Sequence, residues 1–456
     1  EDQFWTSDKL SITNDPFNKP QLVIKNKNFS SFDDNSEILF KSDWSWIELD
    51  NFLKIPLGSK RYILNEENEL KWKIGYDKSD KDGLFFSRNY KPIFIEEGNT
   101  KLSLKQEFFI QRALMGKTES FSAENDSVLA KKIEQEPKTL DYLGLEANLN
   151  SKIFGFDLKT SIEMNSLDFD KFKKIIQSNN KLSKVLYEEE KYRKNKKTVF
   201  SIFGNYRDTV WNGSLGDIEI LGAYGARIEK KNNWIENNIG KSSTIAIVLG
   251  NYESIKKDET TNTINRNRLN IFLERNNTYT IWEPKTKDKV ITAEYKYTPY
   301  IIPYGLKLLV QTKADFYRYD DFNYQDLYTF TAGPELTIGN FKNKFFDYTK
   351  FSIIPRKTIS YGNSPFIFDQ SNDNNSVKLS LEQQLVGPIT LKYSTEYNLD
   401  VNSRYYKDFY NNRFEVNWNR RAYYISAYYL EDRQKAGINF RINSFIFEGL
   451  GKPFKK

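Results

Sequence analysis

The stretch YNNRFEVNWNRRAYYISAYYLEDRQKAGINFRINSFIFEGLGKPF, residues 410–454, decides the fold. It reads as three strands in a row. In the first, Phe414, Val416 and Trp418 alternate with Arg413, Glu415, Asn417 and Asn419. In the second, Tyr423, Ile425, Ala427 and Tyr429 share a face, and in the third Ile438, Phe440 and Ile442 alternate with Asn439, Arg441 and Asn443. Successive side chains of a strand point to opposite sides, so each strand has an apolar, aromatic-rich face and a polar, charged one. A wall with lipid outside and water inside needs that division.

The same rhythm extends upstream. Leu306, Leu308, Val310, Thr312, Ala314 and Phe316 alternate with Lys307, Gln311, Lys313 and Asp315, and Ile389 to Leu399 repeats the pattern. Many runs exceed nine residues. A tilted strand needs about 9–11 to cross a bilayer, whereas soluble strands average about five or six. No fixed repeat period separates the runs, which argues against a propeller or solenoid. Aromatic residues make up 16% of the 456 residues, with 29 Tyr and 34 Phe, yet hydrophobic residues total only 39%. Mean hydropathy is −0.68. No apolar run approaches the roughly 18 residues of a transmembrane helix, which leaves strands as the means of crossing.

These features predict an all-β chain dominated by a large antiparallel transmembrane β-barrel of about 18–26 strands. The barrel is expected over residues 66–456. Its first strand carries Leu70, Trp72, Ile74 and Tyr76, and its second, 84–95, is interrupted by Pro92, which cannot donate to a ladder. Residues 116–139 read as a loop. Residues 168–197 form the one helical candidate, with Phe169, Phe172, Ile175, Ile176, Leu182, Val185 and Leu186 at roughly helical spacing before a basic run, Lys191 to Lys197. This segment is expected to be a helical or loop insert. Residues 1–65 differ: short alternating pieces are separated by turn chemistry, NDPFN at 14–18 and FDDNS at 32–36, as in the end of a soluble β-domain.

Composition also excludes function classes. The chain has no Cys, hence no disulfide, thiolate nucleophile or Cys-type zinc site. It has no His, which removes Ser-His-Asp catalysis, His-ligated metals and the commonest general base. No cofactor, metal site or enzymatic activity is expected. A net charge of +7 set against 68 basic and 61 acidic residues indicates mixed wet surfaces rather than a nucleic-acid footprint. The N-terminus, EDQFWTSDKL, lacks a basic region followed by an apolar one, so a mature form or fragment is expected.

Several segments resemble the cyanobacterial LptD-like family of outer-membrane lipopolysaccharide-assembly proteins. The most specific is NWNRRAYYISAYYLEDRQKAGINFRINSFIFEGLGKPF at 417–454, with its Asn-Arg-Arg-Ala-Tyr strand, Arg-Ile-Asn strand and Gly-x-Gly-x-Pro-Phe end. IPRKTISYGNSPFIFDQ at 354–370, YRDTVWNGSLG at 206–216, GLFFSRNYKPI at 83–93 with FFIQRAL at 108–114, and TNDPFNKPQL at 13–22 add to it. The resemblance implies a periplasmic β-jellyroll, of which residues 1–65 are the last part, followed by a barrel in the cell outer membrane. It also implies transport. Lipopolysaccharide arrives from periplasmic transport-bridge proteins, its sugar passes through the lumen, and its lipid leaves through a lateral gate between the first and last strands. Barrel-assembly machinery and outer-membrane lipids are the further implied partners.

Lateral-gate candidates are therefore Leu70, Trp72, Ile74 and Pro92 on one side, and Ile438, Phe440 and Ile442 on the other. Arg413 and Arg441 are candidates for lumenal contact with lipopolysaccharide, because guanidinium forks match phosphates. Phe454 is a candidate barrel-insertion signal. The absence of cysteines departs from the proteobacterial pattern and removes a jellyroll-to-barrel disulfide. The alternative function is a general diffusion porin or solute channel, for which 116–139 or 168–197 would supply the constricting loop. A glycosidase-like carboxylate pair is the residual enzymatic reading.

Overall fold

Alternating strands of this length bury neither face against their own chain, so the wall must close on itself to satisfy its backbone. It does so here. The computed structural model describes residues 5–442 except 14, 16–18, 35–36, 64–71, 96–98, 121–133, 237–238, 258, 260–261, 284–296, 299–301 and 303. Nineteen antiparallel segments are hydrogen-bonded in a ring. Two of them, Gly83–Asn89 and Ile93–Ile95, lie end to end along the same neighbour, Thr100–Phe108, and are halves of one strand. The barrel therefore has eighteen strands, an even number as in outer-membrane barrels. Asn89 faces Lys105 and Ile93 faces Leu102, four steps against three. The extra residue is a bulge at Tyr90–Lys91–Pro92, where proline can skip its ladder bond.

The inner face follows from one fixed point. The loop 363–374 folds into the lumen, where its Asp369 meets Arg268 at 2.5 Å. Through the ladders Arg268 is level with Gly250, Gly225, Phe203, Lys181, Lys159, Asn150 and Lys101 on successive strands. Every second residue from these faces the lumen. The outer face carries Leu102 on the third strand and, through Gln106 and Arg88, Trp72 on the first.

The helical insert expected at 168–197 is not present. Only Phe169–Lys171 and Phe172–Ile175 are helical, one short turn each. The rest is a β-hairpin, Ile176–Lys191 with Lys194–Trp211. The apolar residues there do not share one face. Leu182 and Val185 stand on opposite parities of an unbroken ladder, and Leu186 is the extra residue of a register shift between Val185 and Tyr187, so 182, 185 and 186 fall at helical spacing. The basic run closes the hairpin, with Lys197 reaching Glu188 at 2.9 Å.

Ahead of the barrel, Trp5–Ile12, Leu22–Asp34, Glu37–Leu49 and Leu53–Ile63 form one antiparallel sheet in sequence order. Its strands are longer than the short pieces expected: Phe32 to Asp34 of the turn-like FDDNS belong to the second strand. Leu22, Ile24, Ile47 and Leu49 make its buried face. Among the described residues no helix is long and apolar enough to cross a membrane.

Candidate functional site

Ring closure joins the first barrel strand, Trp72–Asp77, to the last, Lys435–Ile442. The seam is held by three pairs: Asp77 with Lys435, Tyr76 with Ala436 and Gly75 with Gly437. Beyond them Trp72 to Ile74 and Ile438 to Ile442 stay paired with their own neighbours, but not with each other. One end of the seam is stapled. Lys435 reaches Asp77 at 2.9 Å and Asp80 at 3.1 Å, and the Lys78 amide donates to the Gln434 carbonyl. The other end opens toward the rim that bears the N-terminal sheet.

The last paired position is glycine on both strands. A Cβ at Gly75 would lie 2.5 Å from the Phe85 ring, and one at Gly437 2.8 Å from the Tyr428 hydroxyl. Rings from the flanking strands cover bare backbone where the ladder ends, and only glycine leaves room for them.

The N-terminal sheet docks beside the opening, on the turn at 420–422. Arg420 binds Asp50 at 2.6 Å, and the Tyr423 hydroxyl donates to the same carboxylate at 2.6 Å. Arg421 pairs with Asp15 at 3.0 Å, and its amide donates to the Gln21 side chain. Tyr423 and Ala422 complete the sheet's apolar core, with Phe440 and Ile442 of the last strand packed against it. The sheet's interior is thus continuous with the outer face of the strand that borders the seam.

At the far rim the loop 363–374 is tied to the wall. Phe366 and Phe368 of the loop 363–374 are buried with Ile220, Tyr252 and Tyr319. Asn212 donates to the carbonyls of Ile367 and Gln370, and the Ser214 amide to Asp373. At the same rim Arg112, fully buried, binds Asp82 at 2.6 Å, the Asn165 carbonyl at 2.8 Å and Ser120. Burial pushes its guanidinium pKa below the ordinary value, against the pull of Asp82. For Lys81 burial works in the same direction, but Glu163 and Glu107 outweigh it and hold the ammonium above its usual range.

A family described as "Protein of unknown function (DUF3769)" matches residues 1–446. The chain belongs to this family. No curated protein matches the DUF3769 chain in sequence. Among solved structures, the outer membrane protein OmpT of Vibrio cholerae (in-vitro folded, trimer form) aligns over 80% of this chain and 89% of that one, at 10% identity and a TM-score of 0.29.

The DUF3769 barrel distributes the sequence candidates unevenly. Trp72, Ile74 and Ile438 face outward along the seam, 45%, 54% and 56% exposed. Phe440 and Ile442 face outward too, but are covered by the N-terminal sheet. Pro92 sits in the bulge of the second strand, one strand away from the seam itself. Leu70 and Phe454 lie outside the described residues. In the lumen, Arg413 is paired with Glu415 at 2.7 Å. Arg441 is exposed, its guanidinium 5.6 Å from the Tyr424 ring. Among the described residues no group of three or more acidic side chains is placed to hold a metal.

The sequence reading missed the glycine pair, the Lys435 staple, the Arg420–Arg421 dock and the lumenal loop. A signal was present. The stretches that carry the family resemblance meet in space: 13–22 with 417–454 through Asp15 and Arg421, 83–93 with 108–114 through the Leu84 amide and Gln111, and 206–216 with 354–370 through Asn212 and Ile367.

Proposed function

We propose that this outer-membrane-type barrel is a translocon that assembles lipopolysaccharide at the cell surface, passing sugar through the lumen and lipid through the seam. The observation that carries this reading is the continuity of the N-terminal sheet's apolar core with Phe440 and Ile442, at the point where the seam is unpaired. Acyl chains leaving that core meet an apolar outer wall without crossing water. Sugar on the same molecule meets Asn439 and Arg441 on the opposite face of the same strand. A barrel wall that is laddered elsewhere needs one weak line for lateral release, because each broken bond in lipid costs several kcal/mol. Three pairs are few enough to part.

In this reading the N-terminal sheet lies in the periplasm and continues a bridge of transport proteins, and barrel-assembly machinery inserts the wall into the outer membrane. The chain needs no cofactor and catalyses no reaction. The second reading, a solute channel, is favoured by the inward loop 363–374, since such channels narrow their lumen with one. Residues 168–197 run mainly into a hairpin of the wall, and most of 116–139 lies outside the described residues. The bonds of the loop 363–374 to Asn212, Ser214 and Gln325, all at strand ends, make it a lid at the rim rather than a mid-barrel constriction.

The test is a lock. Because the chain has no Cys, Tyr76→Cys with Ala436→Cys gives one disulfide across the seam, and Ala226→Cys with Leu249→Cys gives one across the far wall. Oxidation of the seam pair is expected to abolish surface lipopolysaccharide, with reductant restoring it, while the wall pair has no effect. Normal surface lipopolysaccharide with the seam locked, together with ohmic conductance in planar bilayers, would establish the channel instead.

A further inference from the structure

Arg88 stands on the outer face of the barrel, where lipid belongs. It pairs directly with Trp72 on one side and Gln106 on the other, and both are outward by the register that places Lys101 in the lumen. On the last three strands and the first, the alternating outward residues from Phe414 onward are apolar or aromatic. Arg88, on the adjoining second strand, is the cation among them. It is exposed, and among the described residues no carboxylate pairs with it. Its guanidinium lies 5.0 Å from the Trp72 ring and 5.4 Å from the Tyr90 ring. Two rings hold the charge in place without neutralising it.

Its position along the seam is telling. Gly75 pairs with Gly437, so three residues further toward the sheet-bearing rim Trp72 is level with Phe440. Phe440 is where the N-terminal sheet's apolar core reaches the barrel. Arg88 is therefore level with that core, one strand beyond Trp72 and the unpaired part of the seam. A guanidinium on a lipid-facing wall is costly at the bilayer midplane and tolerated near the interface. It offers a planar fork that accepts phosphate oxygens in pairs. An amphiphile with its chains against the exposed Ile74 and Ile438 brings its head group to this residue.

We propose that Arg88, held by Trp72 and Tyr90, is a binding site for the phosphate of a lipid head group at the mouth of the seam. This rests on the translocon reading and names what its seam recognises. The test is native mass spectrometry of the purified chain in detergent, titrated in parallel with dioleoyl phosphatidic acid, dioleoylglycerol and inorganic phosphate. Phosphatidic acid is expected to bind best. Arg88→Gln should weaken it about tenfold, the size expected from losing one charge-assisted pair. Arg88→Lys should recover part of that loss. Lys184→Gln should leave binding unchanged; Lys184 is also outward, with its ammonium 5.2 Å from the Phe156 ring, but far from the seam.

Equal phosphatidic acid affinity of the wild type and Arg88→Gln, both heat-modifiable and hence folded, would overturn the site. Equal binding of dioleoylglycerol would remove the phosphate, and inorganic phosphate binding as tightly as the lipid would make this a free-anion site instead. The disulfide lock fails separately. Transport through a locked seam, combined with loss of phosphatidic acid binding in Arg88→Gln, would retain the head-group site and discard the translocon.

Discussion

The wall opposite the seam and the seam itself are built from the same alternating strands, yet they differ in how they are joined. Between Lys194–Trp211 and Asp217–Glu236 the ladder runs from Lys194–Trp234 to Trp211–Asp217 with one irregular step. Between the first and last strands it stops after Gly75–Gly437. The difference teaches where strength comes from in this barrel. Backbone pairing and cross-lumen contacts rigidify the far wall, whereas the seam relies on three pairs and a surface ion pair, with the N-terminal sheet alongside.

The largest expected effect lies on the far side. Arg268 is buried with Asp369 and stacks 4.0 Å from the Tyr252 ring. Arg268→Ala strands a buried carboxylate and should destabilise the loop 363–374 by about 3–5 kcal/mol. Urea unfolding in vesicles should show this, and bilayer recordings should show new conductance as the lid loosens. Asp369→Ala in the same chain should recover part of the loss, and seam pairing should be unaffected. Unchanged readouts would mean that the loop does not rigidify the far wall.

Next comes the dock. Asp50→Ala leaves the Arg420 guanidinium and Tyr423 hydroxyl without their carboxylate, worth about 1–3 kcal/mol. Limited proteolysis should then release the N-terminal sheet while the barrel resists. A sheet that stays protected would mean that its apolar core alone holds it.

Glycines compare the two regions directly. Gly75→Ala drives a methyl into the Phe85 ring and should cost about 1–3 kcal/mol. Gly204→Ala, in the far wall with open space around its Cβ position, should be neutral or stabilising by roughly 0.4–1 kcal/mol. Thermal unfolding of the two variants in one detergent decides it, and equal melting points would remove the special role of the seam glycine. The smallest effect belongs to the staple. Lys435 is partly exposed, so Lys435→Ala should cost below about 1 kcal/mol. It should nonetheless speed hydrogen exchange at Tyr76 and Asp77 and leave Ala226 and Leu249 unchanged.

Much of the barrel was legible in the residues. Trp418, Tyr423 and Phe440 announced their face by parity alone, and Pro92 marked a real interruption. Parity failed at 168–197, where Leu182 and Val185 stand on opposite faces and Leu186 sits in a bulge. At the candidate site, Trp72, Ile74 and Ile438 lie on the outer face along the seam. Phe440 and Ile442 proved to be shared with the N-terminal sheet, and Arg413 to be satisfied by Glu415.

The sequence by itself determined what is local: the period of two, the aromatic outer face, the polar lumen and the exclusion of Cys and His chemistry. Each follows from side-chain direction within one strand or from residue identity. Tertiary structure alone decided where the closing ladder ends, that Arg420 and Arg421 seat the sheet, and that 363–374 enters the lumen. Those outcomes rest on pairings between residues remote in the chain. No local period encodes them, because the energy that selects them exists only once the wall has closed.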